Sequence, residues 1–114
     1  MDNSSNSALF DAQVKRLGEA HYLILYWCAQ AEGRSLKYNL TNCFDDLKSA
    51  GITRTKQTAI AAVESLATLC FVDLKDEGNR KNIYITHHGA KALEYLRTNS
   101  MFHSKPSSFL EDAK

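Results

Sequence analysis

The period of the apolar pattern changes once along this chain, and the place of that change leaves few folds open. Within residues 54–69, Ile60, Val63 and Ala67 lead on to Cys70 at steps of three and four, joined by Leu66, the spacing of a helix with one buried face. Residues 71–75 (Phe-Val-Asp-Leu-Lys) and 82–86 (Asn-Ile-Tyr-Ile-Thr) then alternate with period two and are rich in β-branched and aromatic side chains, as paired strands are. Between them, residues 76–81 contain Gly78 and Asn79, which tolerate positive φ, so the segment is read as the loop of a β-hairpin. Just upstream, Leu40, Phe44 and Leu47 form the apolar stripe of another helix. Asn42 is read as its N-cap, with Asp45 and Asp46 in the first turn, where the helix dipole favours carboxylates. Ala50-Gly51 stops that helix, and only Gly51-Ile52 precedes Thr53, read as the N-cap of the next.

The remaining segments supply further helices. Residues 1–7 are polar and expected to be disordered. Phe10, Val14 and Leu17 mark one face of a short helix over residues 8–17. Residues 20–31 carry ten apolar side chains in twelve positions. A helix apolar almost all round is buried on several sides, either as a central core helix or as one shared with a second subunit. Gly33 ends it, and residues 34–38 form a short extended or turn segment. Thr86 caps a last long helix to about Thr98, with Ala90, Leu93 and Leu96 inward. Residues 99–114 are a tail in which Ser108-Phe-Leu-Glu111 has capping-box spacing and starts one further turn. The fold class is mainly α with a small β-hairpin (α+β), one domain over residues 8–98. Helix, tight turn, helix and hairpin in this order make the winged helix-turn-helix arrangement, here with extra N- and C-terminal helices. The helix after Thr53 is its recognition helix and residues 76–81 are its wing.

The stretch from Leu47 to Leu96 resembles the DNA-binding domain of prokaryotic transcriptional regulators of the MarR and PadR type. The residues that carry the resemblance are Leu47-x-x-Ala50-Gly51-Ile52-Thr53-Arg54, then Val63-x-x-Leu66-x-x-Leu69-x-Phe71-Val72, then Tyr84-x-Thr86-x-x-Gly89-x-x-Ala92-Leu93. It implies a regulator that dimerises through its terminal helices. Where such regulators usually have glycine after the recognition helix, this chain has Cys70, which must adopt the helix-ending conformation without glycine's freedom. The run 51–66 is also longer than the common spacing, and the wing is short.

Charge bears on the partner. The 114 residues hold 14 Lys+Arg against 13 Asp+Glu, a net charge of +1, so nucleic-acid binding requires that basic residues be segregated. They are. Residues 51–63 contain Arg54 and Lys56 and no acid; residues 78–91 contain Arg80, Lys81, Lys91 and two histidines, again without an acid. The acids gather at Asp45/Asp46, Glu64, residues 73–77 and the tail. On the winged-helix reading, Thr53, Arg54, Thr55, Lys56, Gln57 and Thr58 enter the major groove, and Ala61 is small enough to allow close approach. Gln57 suits adenine and Arg54 guanine, while Thr53, Thr55 and Lys56 suit phosphates. Arg80 is placed at the minor groove, with Asn79, Lys81 and Asn82 on flanking phosphates.

Other readings are weaker. Cys28, Cys43 and Cys70, at spacings of 15 and 27, form neither a disulfide framework nor a zinc pattern, and Cys28 and Cys70 sit in apolar contexts where thiols are inert. His87-His88 with Cys70 or His103 lacks metal-ligand spacing, so no metal or cofactor is expected. No nucleophile–base pair or phosphate loop appears, so no enzyme is expected. The N-terminus does not read as a signal peptide, and the longest apolar run is too short for a membrane span, which suits a cytoplasmic, nucleoid-associated protein. The aromatic helix is read either as core or, with Phe10, Val14, Tyr22, Tyr26 and Tyr95, as a dimer interface or effector pocket; nothing in the sequence identifies an effector. The function expected is a homodimeric repressor on a pseudo-palindromic duplex site. The alternatives are a winged-helix protein of plasmid or viral replication or partition, or one used for protein–protein contact.

Overall fold

The structure, a computed structural model, describes the backbone of residues 3–113 and the side chains of residues 8–113. It is mostly helical with a small antiparallel sheet, an α+β fold. The elements run α1 (Asn3–Lys15), α2 (Glu19–Gly33), β1 (Tyr38–Asn39), α3 (Leu40–Ser49), α4 (Lys56–Thr68), β2 (Val72–Glu77), β3 (Arg80–Ile85), α5 (His87–Asn99) and α6 (Ser108–Asp112). The first helix starts at Asn3, so residues 3–7, expected to lack order, have helical backbone; residues 1–2 lie outside the described residues.

Helix α2 is the core of the molecule. Tyr22, Leu23, Ile24, Leu25, Trp27, Cys28 and Ala31 are all buried, and the chain's own α3, α4, α5 and sheet pack around them. At about 1.5–3 kcal/mol for each large apolar side chain withdrawn from water, this one helix anchors the fold. At its start, His21 Nδ1 accepts the Gly18 N–H at 2.9 Å, which requires an unprotonated nitrogen, and burial lowers the ring's pKa below the ordinary 6.5. Protonation near 6.5 therefore favours the unfolded chain, and stability falls as the pH drops below that value. Urea midpoints measured from about pH 7.5 down to 5 are expected to decline, and to decline less in His21→Gln.

Three helices end in the same way. The N–H two residues beyond the last helical residue bonds back to the second-last carbonyl, and the next N–H to the third-last. The pairs are Ser35 to Glu32 and Leu36 to Ala31, Gly51 to Lys48 and Ile52 to Leu47, and Cys70 to Ala67 and Phe71 to Leu66. The turning residue has φ +56°, +76° and +65° respectively. Gly33 is thus the last helical residue of α2, and Ser35 makes the turn. Cys70 adopts the left-handed conformation expected of it, but its thiol is exposed, against the apolar surroundings read from the sequence. Since little packing is lost with the side chain, Cys70→Gly is expected to raise unfolding free energy by about 1 kcal/mol in urea titrations.

The sheet has order β1-β3-β2. Strand β1, two residues long, pairs Tyr38 with Ile83 and Asn39 with Asn82. The hairpin is tighter than expected, since pairing continues through Asp76↔Lys81 and Glu77↔Arg80, leaving only Gly78-Asn79 as the turn. Alternation buries Val72 and Ile83 against the helices and turns Lys75, Glu77 and Arg80 outward. Thr86 caps α5 through the Gly89 N–H at 2.9 Å, as expected, and its hydroxyl also donates to the Cys70 carbonyl at 2.7 Å. A Cβ on Gly89 would lie 1.9 Å from the Phe71 carbonyl oxygen, so only glycine lets α5 approach the end of α4 this closely.

The C-terminal segment is a strap rather than a loose tail. It crosses α2 and α3 with Leu110 buried, and Trp27 Nε1 donates to the Lys105 carbonyl at 2.7 Å.

Candidate nucleic-acid interface

Helix α4 begins two residues later than the sequence suggested. Its N-cap is Thr55, whose Oγ1 accepts the Thr58 N–H at 3.2 Å and pairs with the Thr58 hydroxyl at 2.8 Å. Thr53 is buried, its hydroxyl donating to the Thr55 carbonyl, so it offers nothing to an outside partner. Arg54 precedes the helix, and Lys56 and Gln57 occupy its first two positions; all three are exposed, as is Ala61.

Helix α3 is displaced likewise. Its N-cap is Asn39, not Asn42: Asn39 Oδ1 accepts the Asn42 N–H at 2.8 Å, and the Asn42 side chain accepts the Asn39 N–H at 3.2 Å. This reciprocal box moves Asp46 out of the first turn and into the interior. It also brings a helix start to the sheet. Asn39, Leu40 and Thr41 line a depression of about 200 Å³ together with Lys56 at the head of α4 and Asn79, Arg80 and Lys81 at the hairpin turn. The sequence reading missed Asn39, Leu40 and Thr41. The Asn39-x-x-Asn42 spacing was the signal that pointed to them.

Four of the expected residues therefore converge: Lys56, Asn79, Arg80 and Lys81. Among the described residues, Lys56, Arg80 and Arg54 form no salt bridge, while Lys81 lies 3.9 Å from Asp76. Lys56, Arg80 and Lys81 and the starts of two helices thus border one depression, an arrangement suited to an oxyanion such as a phosphate. Arg54, Gln57 and Thr58 are exposed beside it without lining it, and Ala61 lines a separate shallow depression with Glu64, Ser65, Thr68 and Leu69.

The acids are not elsewhere, as the linear reading had them. An antiparallel hairpin folds acidic β2 back along basic β3, setting Asp76 opposite Lys81 and Glu77 opposite Arg80. Glu77 accepts from the Asn82 amide at 2.6 Å and from the Tyr84 hydroxyl, and these bonds hold its carboxyl below the usual range. The same bond to Glu77 raises the Tyr84 hydroxyl above its ordinary value. Asn82, expected on phosphates, is buried beneath this network.

The proposed dimer residues divide. Val14 and Tyr22 are buried inside the chain itself, so they present no surface. Phe10, Tyr26 and Tyr95 are half-buried, and Phe10 packs edge-on against Phe71 and Tyr95 within the same molecule. Among the described residues no three of His, Cys, Asp and Glu come together as a metal site, and no helix is long and apolar enough to cross a membrane. Burial raises the Cys28 and Cys43 thiols above the ordinary thiol range.

No protein-family model matches the chain, and no curated protein matches it. A solved structure does resemble it, the crystal structure of AF1382 from Archaeoglobus fulgidus. The TM-score is 0.58 at 13% identity, over 73% of this chain and 86% of that one. The likeness is one of fold.

Proposed function

We propose that this chain is a sequence-specific double-stranded DNA-binding transcriptional regulator of the winged helix-turn-helix type, similar to the MarR and PadR regulators, and that it acts as a homodimeric repressor. The observation that carries the reading is the depression shared by Lys56, the hairpin turn and the start of α3. In it α4 is the recognition helix and β2–β3 the wing. A DNA phosphate sits among Lys56, Arg80 and Thr41, Gln57 and Arg54 reach base edges in the major groove, and the tip of the wing lies along the minor groove. Two copies on a pseudo-palindrome double these contacts, and the setting is the prokaryotic cytoplasm.

Selection of bound duplexes from a random pool tests this reading: enrichment of a pseudo-palindromic site is expected, and no enrichment at all would falsify it. The wing's acid gives a second check. Because Glu77 is held ionised opposite Arg80, it repels phosphate, and Glu77→Gln removes that charge while keeping a hydrogen-bonding amide. Affinity for the selected duplex is expected to rise about threefold at low salt and to converge with that of the unaltered protein as salt increases.

A further inference from the structure

In the hairpin register Glu77 stands directly opposite Arg80, across the turn Gly78-Asn79. Side chains so opposed lie on one face with their Cβ atoms about 4.5–5.5 Å apart, and opposite charges there attract. Yet among the described residues Arg80 forms no salt bridge, with Glu77 or with any other acid. The neighbouring pair behaves in the ordinary way, Lys81 lying 3.9 Å from Asp76. Something other than charge therefore decides where the Glu77 carboxylate points.

Two neutral donors on β3 decide it. Strand alternation sets Asn82 and Tyr84 on the same face as Arg80 and Glu77. Glu77 Oε1 accepts from Asn82 Nδ2 at 2.6 Å and from the Tyr84 hydroxyl, which turns the carboxylate along the sheet and away from the turn. Lys37, ahead of β1, lies 3.9 Å from the same oxygen. The Tyr84 ring is held in its turn by the Lys75 ammonium, 5.3 Å from the ring centre. Asn82 shows that the aim of its amide matters. The residue is buried, and its Oδ1 has no hydrogen-bond partner among the described residues. A buried acceptor left without a donor is costly, and turning the amide over would set that oxygen against the Glu77 carboxylate.

The consequence falls on the depression that Arg80 borders with Lys56 and Lys81. A Glu77–Arg80 ion pair would occupy the guanidinium donors that an oxyanion there needs. We propose that Tyr84 and Asn82 are positioning residues, which hold Glu77 away from Arg80 and so keep the guanidinium available to an oxyanion. That this oxyanion is a DNA phosphate rests on the nucleic-acid reading; the withheld ion pair does not.

The test is Tyr84→Phe, made alone and together with Glu77→Gln. Phenylalanine keeps the ring under Lys75 and removes only the hydroxyl. The first measurement is hydrogen exchange at the Arg80 Nε–H in the full ¹⁵N-labelled chain without DNA. Exchange is expected to slow severalfold in Tyr84→Phe, as the freed carboxylate takes up the guanidinium, and to return to the native rate in the double variant. The second is affinity for the selected duplex at low salt. Tyr84→Phe is expected to lower it about threefold in the native background and to leave it unchanged in the Glu77→Gln background. A hydroxyl needed only for the shape of the hairpin would act equally in both. The proposal is overturned by unchanged Arg80 exchange in Tyr84→Phe, or by an affinity change that is the same in both backgrounds, zero included. Failure of the nucleic-acid reading is distinct, since it shows as the absence of any bound duplex and leaves the exchange measurement to decide whether Glu77 is held off Arg80.

Discussion

Alanine at Arg54, Lys56 and Arg80 together is expected to lower affinity for the selected duplex by on the order of a hundredfold at moderate salt. The three side chains are exposed and free of salt bridges among the described residues, so their loss leaves the core intact, and thermal melting is expected to stay unchanged. Their contributions differ in kind. Lys56 and Arg80 face the depression between two helix starts, where a phosphate fits, and each lost phosphate contact reduces the slope of log affinity against log salt by about one. Arg54 stands ahead of α4, and its loss removes a base contact without changing that slope much further. Gln57→Ala is the contrasting case, relaxing sequence preference at one position while the slope stays as it was. Filter-binding or anisotropy titrations across salt concentrations separate these effects. Full affinity in the triple variant would remove the basis for the DNA-binding assignment. On the proposed DNA-binding function, the net charge of +1 limits how strongly random DNA is held, so specificity rests on few contacts and each one counts.

The sequence displayed the long elements and concealed the junctions, and the site is built from junctions. The apolar run of α2, the stripe of α4 and the alternation of β2 and β3 all reflect burial of one face, which period alone reveals. Helix starts depend instead on which of several neighbouring hydroxyls or amides wins the cap. Thr53 and Thr55 both suit that role, as do Asn39 and Asn42, and backbone geometry decides between them. Strand β1 has two residues, too few for any period, yet it delivers Asn39 and the start of α3 to the hairpin. The apparent separation of acids from bases was a property of the linear chain. Register then brought Glu77 back beside Arg80. Asp46 is the clearest instance: its partners lie at Tyr38, Ser107 and Phe109, and no local pattern relates residues so far apart.

Asp46→Ala is expected to cost about 3 kcal/mol of unfolding free energy, well beyond an ordinary surface substitution. The carboxylate is buried on α3 and accepts from the Tyr38 hydroxyl at 2.6 Å, the Ser107 hydroxyl and the Phe109 N–H at 3.2 Å. Alanine leaves those donors without an acceptor, two of them on fully buried residues, and each orphaned donor costs about 1–3 kcal/mol. Removing a buried carboxyl group that forms no salt bridge among the described residues offsets part of that sum. Asp46→Asn separates the two effects. Its Oδ1 still accepts from Phe109, and its amide donates to the Tyr38 and Ser107 hydroxyls once they rotate, so a loss of only about 1 kcal/mol is expected. The order native, Asn, Ala in urea midpoints is the first readout. Hydrogen exchange is the second: the Leu110 and Glu111 amides, which bond to Ser107, are expected to lose protection in Asp46→Ala before the amides of α2 do. Equal stability of the alanine variant would mean that apolar contacts alone hold the strap. A carboxylate suits this position because one side chain satisfies donors from β1, the cap of α6 and α6 itself. No apolar residue of the same size joins those segments while leaving none of the donors unpaired.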